Sequence, residues 1–305
     1  MTAKPAILTL ALTAALATVL PAAEPGLSAI VDPDAQVSKL GGDMKFTEGP
    51  VWIPSQKSVV FSDIPNSVLM QWSEDGGLAE LRKVEATNGN ILDLDGNLVS
   101  CQHGGRNVVR WMDDGPPEVL AAKWENKKFN SPNDLAAHSD GSIWFTDPSY
   151  GLNDRQAEID GKFVYRLDPS GEVTVVYRGF DMPNGIVFSP DESRVYISDT
   201  GQVGVVRAFD INEDNTLSET PVAELPIRCD GMCVDVDGNV YTTSAGGLHV
   251  FDAGGNKLGV IEIPEHPANV CFGGDDFKTL FVTARTGLYS VPAKIAGAKP
   301  KGSKW

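Results

Sequence analysis

The chain has 305 residues, of which 42% are hydrophobic, so it is long enough to bury a large core. Its 41 acidic residues outnumber its 25 basic residues and give a formal net charge of −16. This balance disfavours nucleic acids and anionic membrane surfaces as partners, and it leaves carboxylates available to bind cations.

The N-terminal residues have the pattern of a secretory signal peptide. Lys4 precedes an apolar run over 6–20, and Pro21-Ala22-Ala23 follows it. The run is too short for a comfortable membrane span. We therefore expect residues 1–23 to be removed and the mature protein to be secreted or periplasmic, without a membrane anchor. A retained N-terminal helix or anchor is the alternative.

From residue 26 onwards the chain alternates short apolar runs with turn signals and shows almost no helical periodicity. The turn signals include Asp-Gly at 95–96, 140–141 and 237–238, and Ser-Gly at 170–171. No Pro-rich or Ser-rich linker divides residues 24–305, so we predict one domain. The predicted strands are 59–62, 68–72, 98–101, 108–111, 143–146, 163–167, 173–177, 195–198, 205–209, 240–243, 248–251, 280–283 and 288–291.

Four cysteines lie in apolar, strand-like contexts: Cys101, Cys229, Cys233 and Cys271. Export permits disulfides, and four cysteines allow several pairings, so the pairing stays open. In such contexts a free cysteine behaves as a small hydrophobe. The spacing of Cys229 and Cys233 lacks a second Cys or His pair, which argues against a structural zinc site.

One sequence unit recurs six times, with a period of roughly 40–50 residues. A polar residue opens an apolar strand, a turn follows, and a second strand often ends in Ser or Thr followed by Asp. Such units are typical of propeller blades. We predict an all-β, six-bladed β-propeller with four-stranded antiparallel blades, in which residues 35–40 add an edge strand to the last blade. A β-sandwich and an open solenoid are the alternatives. The six polar residues, here called the key residues, are Glu48, Asn88, Asn133, Asn184, Asp230 and Asn269.

The first strand of each propeller blade lines the central channel, so the key residues are expected at one mouth of this channel, pointing inward. Together they offer two carboxylates and four amides, an oxygen-only donor set that favours Ca²⁺, Mg²⁺ or Mn²⁺ over soft metals. We expect one divalent ion, with Ca²⁺ as the best fit and Mg²⁺, Mn²⁺ or Zn²⁺ able to substitute. For Asn133 and Asn184 the alternative is an Asx turn, and for Glu48 and Asp230 it is a solvated loop carboxylate.

Other candidates lie near the same mouth. Asn88 is expected either to bind a substrate hydroxyl or carbonyl or to form an Asn-Gly turn. His103 and Arg106 lie in a Gly-rich bend that could overhang the site, where Arg106 would steady an oxyanion or a product carboxylate; the alternatives are a structural histidine and a surface ion pair. Tyr150, with Asp147, would form a wall of the pocket or a tight turn.

Several motifs together resemble the SMP-30/gluconolactonase/regucalcin-like family, including FTEGPVW from residue 46, SPND from 131 and FTDPSYGL from 145. Further matches lie at 182–192, 230–232 and 267–274, and the stretch 101–106 is similar to bacterial gluconolactonase-type members. The resemblance implies a six-bladed propeller with a single catalytic divalent metal. It implies that Asn88 contacts the substrate and that the metal is held by Glu48, Asn133, Asn184 and Asp230.

The implied reaction is hydrolysis of a small sugar lactone to its aldonic acid. We expect the metal to act as a Lewis acid on the carbonyl and Asp230 to act as general base. Departures from the family pattern at Asn90, Asn107 and Ser149 leave the sugar open, and the oligomeric state is not set by the sequence. The alternatives are a phosphotriesterase-like hydrolase at the same site and a non-enzymatic calcium-binding propeller.

Overall fold

The computed structural model describes residues 18–19 and 26–305. Its strands form six blades around a central axis, each with at least four antiparallel strands, so the predicted six-bladed β-propeller is confirmed. None of the helices in the described residues is long and apolar enough to cross a membrane. The predicted signal peptide lies outside the described residues except for Thr18–Val19, which pair with Gln36–Gly41. Its removal stays a prediction.

The blades follow one another along the chain, and each runs from an inner strand at the axis to an outer strand at the rim. Blade 1 consists of Thr47–Ile53, Ser58–Asp63, Val68–Ser73 and Gly77–Lys83. Blade 2 consists of Thr87–Leu92, Leu98–Gln102, Asn107–Arg110 and Glu118–Ala121. Blade 3 consists of Leu135–Ala137, Ile143–Asp147, Phe163–Leu167 and Val173–Tyr177.

The second half of the ring repeats this pattern. Blade 4 consists of Pro183–Phe188, Arg194–Asp199, Val205–Asp210 and Ala223–Leu225. Blade 5 consists of Met232–Val234, Val240–Ser244, Gly247–Phe251 and Lys257–Glu262. Blade 6 consists of Pro267–Gly273, Thr279–Ala284, Gly287–Pro292, Gln36–Gly41 and Thr18–Val19.

Small elements complete the fold. Three short 3₁₀ helices span Leu27–Ala29, Pro54–Gln56 and Tyr150–Leu152. A two-stranded hairpin of Lys123–Trp124 and Lys127–Lys128 connects blades 2 and 3. These elements lie outside the blades, and Tyr150–Leu152 is the one that bears on the candidate site.

The ring is closed by the N-terminal strand, as predicted from the sequence. Gln36–Gly41 pairs with Gly287–Pro292, so blade 6 combines residues from both ends of the propeller. Between blades 6 and 1, Trp52 stacks on Phe281 with their ring centroids 5.5 Å apart. Burial of such rings contributes roughly 1.5–3 kcal/mol each, so the closure is stabilised by packing as well as by strand pairing.

The blades bury both of their faces, which explains why polar and apolar residues alternate so weakly along their strands. All six residues of Ser58–Asp63 are buried, as are all five of Ile143–Asp147. A strand covered on both faces reads as a continuous apolar run instead of an alternation. The predicted Asp-Gly turns also occur. Gly96 and Gly141 have φ of 88° and 85°, a left-handed conformation that glycine adopts without steric cost.

The four cysteines are free thiols in the structure. Cys101 and Cys229 are fully buried, and Cys233 and Cys271 face the axial cavity described below. Burial raises the pKa of each thiol. They therefore behave as small core residues, the role that their apolar context indicated.

Candidate metal centre and active site

The glycine after a key residue lets the next blade approach the axis. A Cβ on Gly49 would lie 2.3 Å from the carbonyl oxygen of Asn88, and a Cβ on Gly185 would lie 2.4 Å from that of Asp230. Gly185 also donates its N–H to the Asp230 carbonyl oxygen at 3.0 Å. Any larger side chain here would separate neighbouring inner strands, so these glycines allow the key residues to converge.

Local backbone irregularities aim the key residues at the axis. The inner strands of blades 1, 2, 4 and 6 each shift register at or beside their key residue, for example between Glu48 and Val51 and between Pro267 and Asn269. A bulge of this kind bends the strand and redirects a side chain. Repetition of the bulge in four blades indicates that it serves the site.

A carboxylate at the end of the second strand fixes the approach to three key residues. Asp63 accepts hydrogen bonds from the N–H groups of Lys45 and Phe46, just before Glu48. In blade 3, Asp147 accepts from Asn130 at 2.8 Å and from Ser131 at 2.7 Å.

The same arrangement holds Asn184 in blade 4. Asp199 accepts from Asp181 at 3.0 Å and from Met182 at 2.9 Å. The sequence had shown these Ser/Thr-Asp strand ends as part of the repeat, and it gave a role only to Asp147, as part of a pocket wall or a tight turn. We refer to Asp63, Asp147 and Asp199 as the brace carboxylates.

A second set of contacts ties Asn88, Asn133 and Asp230 to the blade that precedes each of them. The hydroxyl groups of Ser62 and Ser198 donate to the carbonyl oxygens of Asn88 and Asp230, at 2.7 and 3.0 Å. Asn133 is held through its backbone, where its carbonyl oxygen accepts from Gly89 N–H at 2.8 Å and its N–H donates to Thr146 at 2.9 Å. The Asn133 side chain is buried.

Of the two predicted carboxylate ligands, Glu48 is buried and Asp230 is half-buried, and their charges act on each other. Burial, then the charges of Asp230 and Asp134, raise the pKa of Glu48. Burial and Asp134 raise the pKa of Asp230, and a hydrogen bond from the Asn184 amide opposes this shift. Among the described residues, none of these three carboxylates forms an ion pair with Lys or Arg.

This donor set fits a divalent cation. Buried carboxylates that repel one another need a positive charge nearby, and two carboxylates with two amides give the oxygen donors that Ca²⁺ prefers. No group of three or more His, Cys, Asp or Glu side chains in the described part of the chain has metal-binding geometry. A metal centre here would therefore depend on the amides of Asn133 and Asn184 as well as on Glu48 and Asp230.

Tyr150 lies at the rim of the site, close to Asn184 and Asp230. Its hydroxyl group hydrogen-bonds with Thr200 and also with the Asn184 amide. Burial is the main cause of its raised pKa, and the charge of Asp230 adds to it. Nearly half of the Tyr150 side chain remains exposed, so the phenol is available to a molecule that enters the mouth.

Asn88 and His103 form a buried pair. The Asn88 amide nitrogen lies 3.2 Å from Nε2 of His103. Burial, helped by Arg155, lowers the pKa of His103 to about 4, so the ring is neutral at pH 7. A neutral Nε2 can accept from Asn88, which fixes the orientation of that amide.

Arg106 does not point at the predicted centre. Its guanidinium group donates to the carbonyl oxygens of Phe129 and Lys128 and lies 3.6 Å from a Glu158 carboxylate oxygen. These contacts hold the loop before Asn130. They give no support to the predicted contact with substrate, which stays a prediction.

Three residues that matter here were missed from the sequence. Arg155 donates to the carbonyl oxygens of His103 and Gly104, both at 2.7 Å, and to that of Gly151, so it clamps the blade 2 and blade 3 loops together. Asp134 is a third buried carboxylate at the mouth. Asn90 was noted only as a departure from the family pattern. Its amide nitrogen donates to the carbonyl oxygens of Gly49 and Asn88 and to the hydroxyl group of Ser62, so it joins blades 1 and 2. Asp134 could have been found from the sequence, because it follows the key residue Asn133 in the repeat and is the last residue of the SPND motif.

The fold and the site thus define a six-bladed β-propeller with a ring of buried oxygen donors at one mouth. A sequence profile of the SMP-30/Gluconolactonase/LRE-like region matches residues 46–286. The chain belongs to this family, as its motifs predicted.

Named relatives can be aligned with most of the chain. The gluconolactonase of Zymomonas mobilis is 30% identical, covering 90% of this chain and 85% of the relative. Pentonolactonase XacC of Haloferax volcanii is 32% identical, covering 79% and 81%. The solved structure of XC5397 from Xanthomonas campestris, described as a gluconolactonase, superposes with a TM-score of 0.84 at 34% identity, covering 92% of this chain and 97% of that one.

Proposed function

We propose that the protein is a metal-dependent lactonase that opens a sugar lactone to the aldonic acid. The observation that carries this proposal is the convergence of Glu48, Asn184 and Asp230 from three blades into one donor set, without a Lys or Arg counter-charge among the described residues. The names of the relatives, which include a gluconolactonase and a pentonolactonase, support a sugar lactone as substrate.

Glu48, Asn133, Asn184 and Asp230 would hold the cation, with Ca²⁺ as the expected ion. When bound, a divalent cation supplies Lewis acidity to the ester carbonyl and stabilises the negative charge that forms on it. The remaining chemistry belongs to side chains of this protein.

Asp230 is the proposed general base. Asp230 is half-buried, and its carboxylate receives a hydrogen bond from Asn184, an arrangement that holds it in one orientation. It would accept a proton from the attacking water, whose oxygen adds to the lactone carbonyl carbon. The ring C–O bond then breaks, and the proton is delivered to the leaving ring oxygen, which gives a hydroxy acid.

Asn88 and Tyr150 are the proposed substrate contacts. The neutral imidazole of His103 accepts from one amide hydrogen of Asn88 and so orients the rest of this amide for a substrate hydroxyl or carbonyl. Tyr150 would cover the ring of the sugar from the rim. His103 acts in this scheme by positioning Asn88.

The experiment that tests the proposal compares hydrolysis of gluconolactone, galactonolactone, xylonolactone and arabinonolactone with hydrolysis of an organophosphate ester, each with Ca²⁺, Mg²⁺, Mn²⁺ and Zn²⁺ in turn. A lactonase of this kind hydrolyses at least one lactone much faster than the organophosphate. Asp230→Asn should abolish that activity, and Asp237→Asn, in an exposed turn of the same blade, should retain it. Faster organophosphate hydrolysis would refute the proposal.

We further propose that the protein is exported. The support is the pattern of residues 1–23, whose apolar run follows a lysine and ends in small residues. Mass spectrometry of the protein isolated from the periplasm or medium should find an N-terminus near Ala22 or Ala23. Retention of the full-length chain in the cytoplasmic fraction would contradict export.

A further inference from the structure

Asn269 is the key residue of blade 6, but its amide faces carboxylates. Its Oδ1 accepts a hydrogen bond from Val270 N–H at 2.8 Å. Its Nδ2 lies 3.4 Å from Oδ2 of Asp134. The opposite amide orientation would place the oxygen against the carboxylate and the NH₂ group against the N–H of Val270. The hydrogen-bonding partners therefore fix this orientation.

The contact between Asn269 and Asp134 spans the axis, because blades 6 and 3 lie opposite each other in a six-membered ring. Asp134 follows Asn133 at a position where four other blades have glycine. A cavity of about 180 Å³ begins at this contact and is lined further down by Val187, Cys233 and Cys271. Asp134 and Asn269 thus form a floor between the ring of donors and this cavity.

Asn269 also reaches Glu48 on the neighbouring blade. Its side chain hydrogen-bonds with the Glu48 carboxylate. Gly231 provides the space for this amide, since a Cβ at that position would lie 2.0 Å from Cγ of Asn269. The amide is therefore confined between Gly231 and two carboxylates.

We propose that Asn269 is a positioning residue: it donates hydrogen bonds to Asp134 across the axis and to Glu48 beside it, and so holds the Glu48 carboxylate towards the cation position. Blade 6 then supplies a hydrogen-bond donor where four other blades supply the ligands. This inference rests on the proposed metal dependence. Groups that orient a metal ligand in this way typically change metal affinity about 10–100-fold when removed.

The test is a double-mutant cycle in which calorimetry measures the affinity of the chelator-treated, full-length protein for Ca²⁺ and Mn²⁺. Asn269→Leu preserves the approximate shape and removes the donor, and Asn269→Ala serves if the leucine variant fails to fold. We expect Asn269→Leu to weaken binding about tenfold. Combined with Glu48→Gln, it should add little further loss, because Asn269 acts through Glu48. Asn212→Leu, in an exposed turn of blade 4, is the matched control.

Each other outcome overturns the inference. Additive losses in the cycle would make Asn269 a ligand in its own right. Unchanged metal affinity with an equal loss of thermal stability in the presence and absence of metal would make it a purely structural residue. If the wild-type protein binds neither ion, the proposed function fails as well, so the wild-type titration distinguishes the two failures.

Discussion

The Asn88 amide nitrogen lies 3.2 Å from Nε2 of a buried, neutral His103, and this pair belongs to blade 2 alone. Asn88 is kept in place by a group that must not take up a proton. A histidine that is neutral in the folded state makes stability depend on pH, in a direction that follows from its two pKa values.

The first prediction concerns His103→Gln. The pKa of His103 is about 4 in the folded protein, against 6.5 for an unperturbed imidazole. The unfolded state therefore binds more protons between these values, and stability is lost as the pH falls through this window. In the wild type, protonation linked to His103 alone should lower the free energy of unfolding by about 3 kcal/mol between pH 7 and pH 4. Glutamine can accept from Asn88 but does not titrate.

Urea unfolding at pH 7 and pH 4.5 measures this difference. The wild type should lose more stability on acidification than His103→Gln does, and His266→Gln, at an exposed histidine, should behave as the wild type. Parallel pH dependences for the wild type and His103→Gln would contradict the assignment.

The second prediction concerns the brace carboxylates. In Asp199→Asn an NH₂ group replaces one carboxylate oxygen. In one amide orientation it faces the N–H groups of Met182 and Gly201, and in the other it faces the N–H group of Asp181, so hydrogen bonds are lost either way. We expect a loss of about 2 kcal/mol in the free energy of unfolding. Weaker binding of a divalent ion should accompany it, because Asn184 lies two residues after Met182. Asp210→Asn, at a half-exposed carboxylate of the same blade, should change neither quantity. Full stability in Asp199→Asn would refute the bracing role.

The third prediction concerns Arg155, which clamps the loops that carry His103 and Gly151. Replacing it with glutamine removes charge-assisted hydrogen bonds to four carbonyl oxygens and should cost about 2 kcal/mol. Steady-state kinetics on the best lactone should show a raised KM with a smaller change in kcat, since Asn88 and Tyr150 flank these loops. Arg194→Gln serves as the control. A variant with unchanged KM would show that the clamp does not serve the site.

The fourth prediction concerns the C-terminal segment, which crosses the end of the cavity away from the donors. Trp305 packs near Phe277 and donates Nε1–H to the carbonyl oxygen of Asp93 at 2.7 Å. Gly297 bridges to Asp235. Because this segment joins blades 2, 5 and 6, Trp305→Ala should lower the free energy of unfolding by about 2 kcal/mol. Its kcat should stay at the wild-type value, and a large fall in kcat with stability intact would contradict this division of roles.

The fold could be predicted from the sequence because its signal is repeated. Each key residue stands at the start of an apolar stretch of sequence, so one correct blade predicts the other five. The same regularity located Glu48 and Asp230 without knowledge of their neighbours. An edge strand at residues 35–40 was predicted for the last blade because a ring without it would keep an open edge, and the structure has this strand at Gln36–Gly41.

Contacts between loops and across the axis could not be predicted in this way. Asp134 and Asn269 are separated by 135 positions, and nothing local indicates that their side chains meet. The two arginines show the same limit. Arg106 stands in a suggestive Gly-rich bend but bonds to Phe129, whereas Arg155, without any motif, holds the loops of the site. The direction of a long side chain depends on which carbonyl oxygens the fold places within reach.

The central claim is that Glu48, Asn133, Asn184 and Asp230 hold a divalent ion that lactone hydrolysis requires. The most direct measurement is the rate of gluconolactone hydrolysis by chelator-treated protein before and after stoichiometric Ca²⁺ or Mn²⁺ is added back. The rate should fall to the uncatalysed level and return with about one ion per chain, and Glu48→Gln should not recover. Full activity in protein verified to be free of metal would contradict the claim.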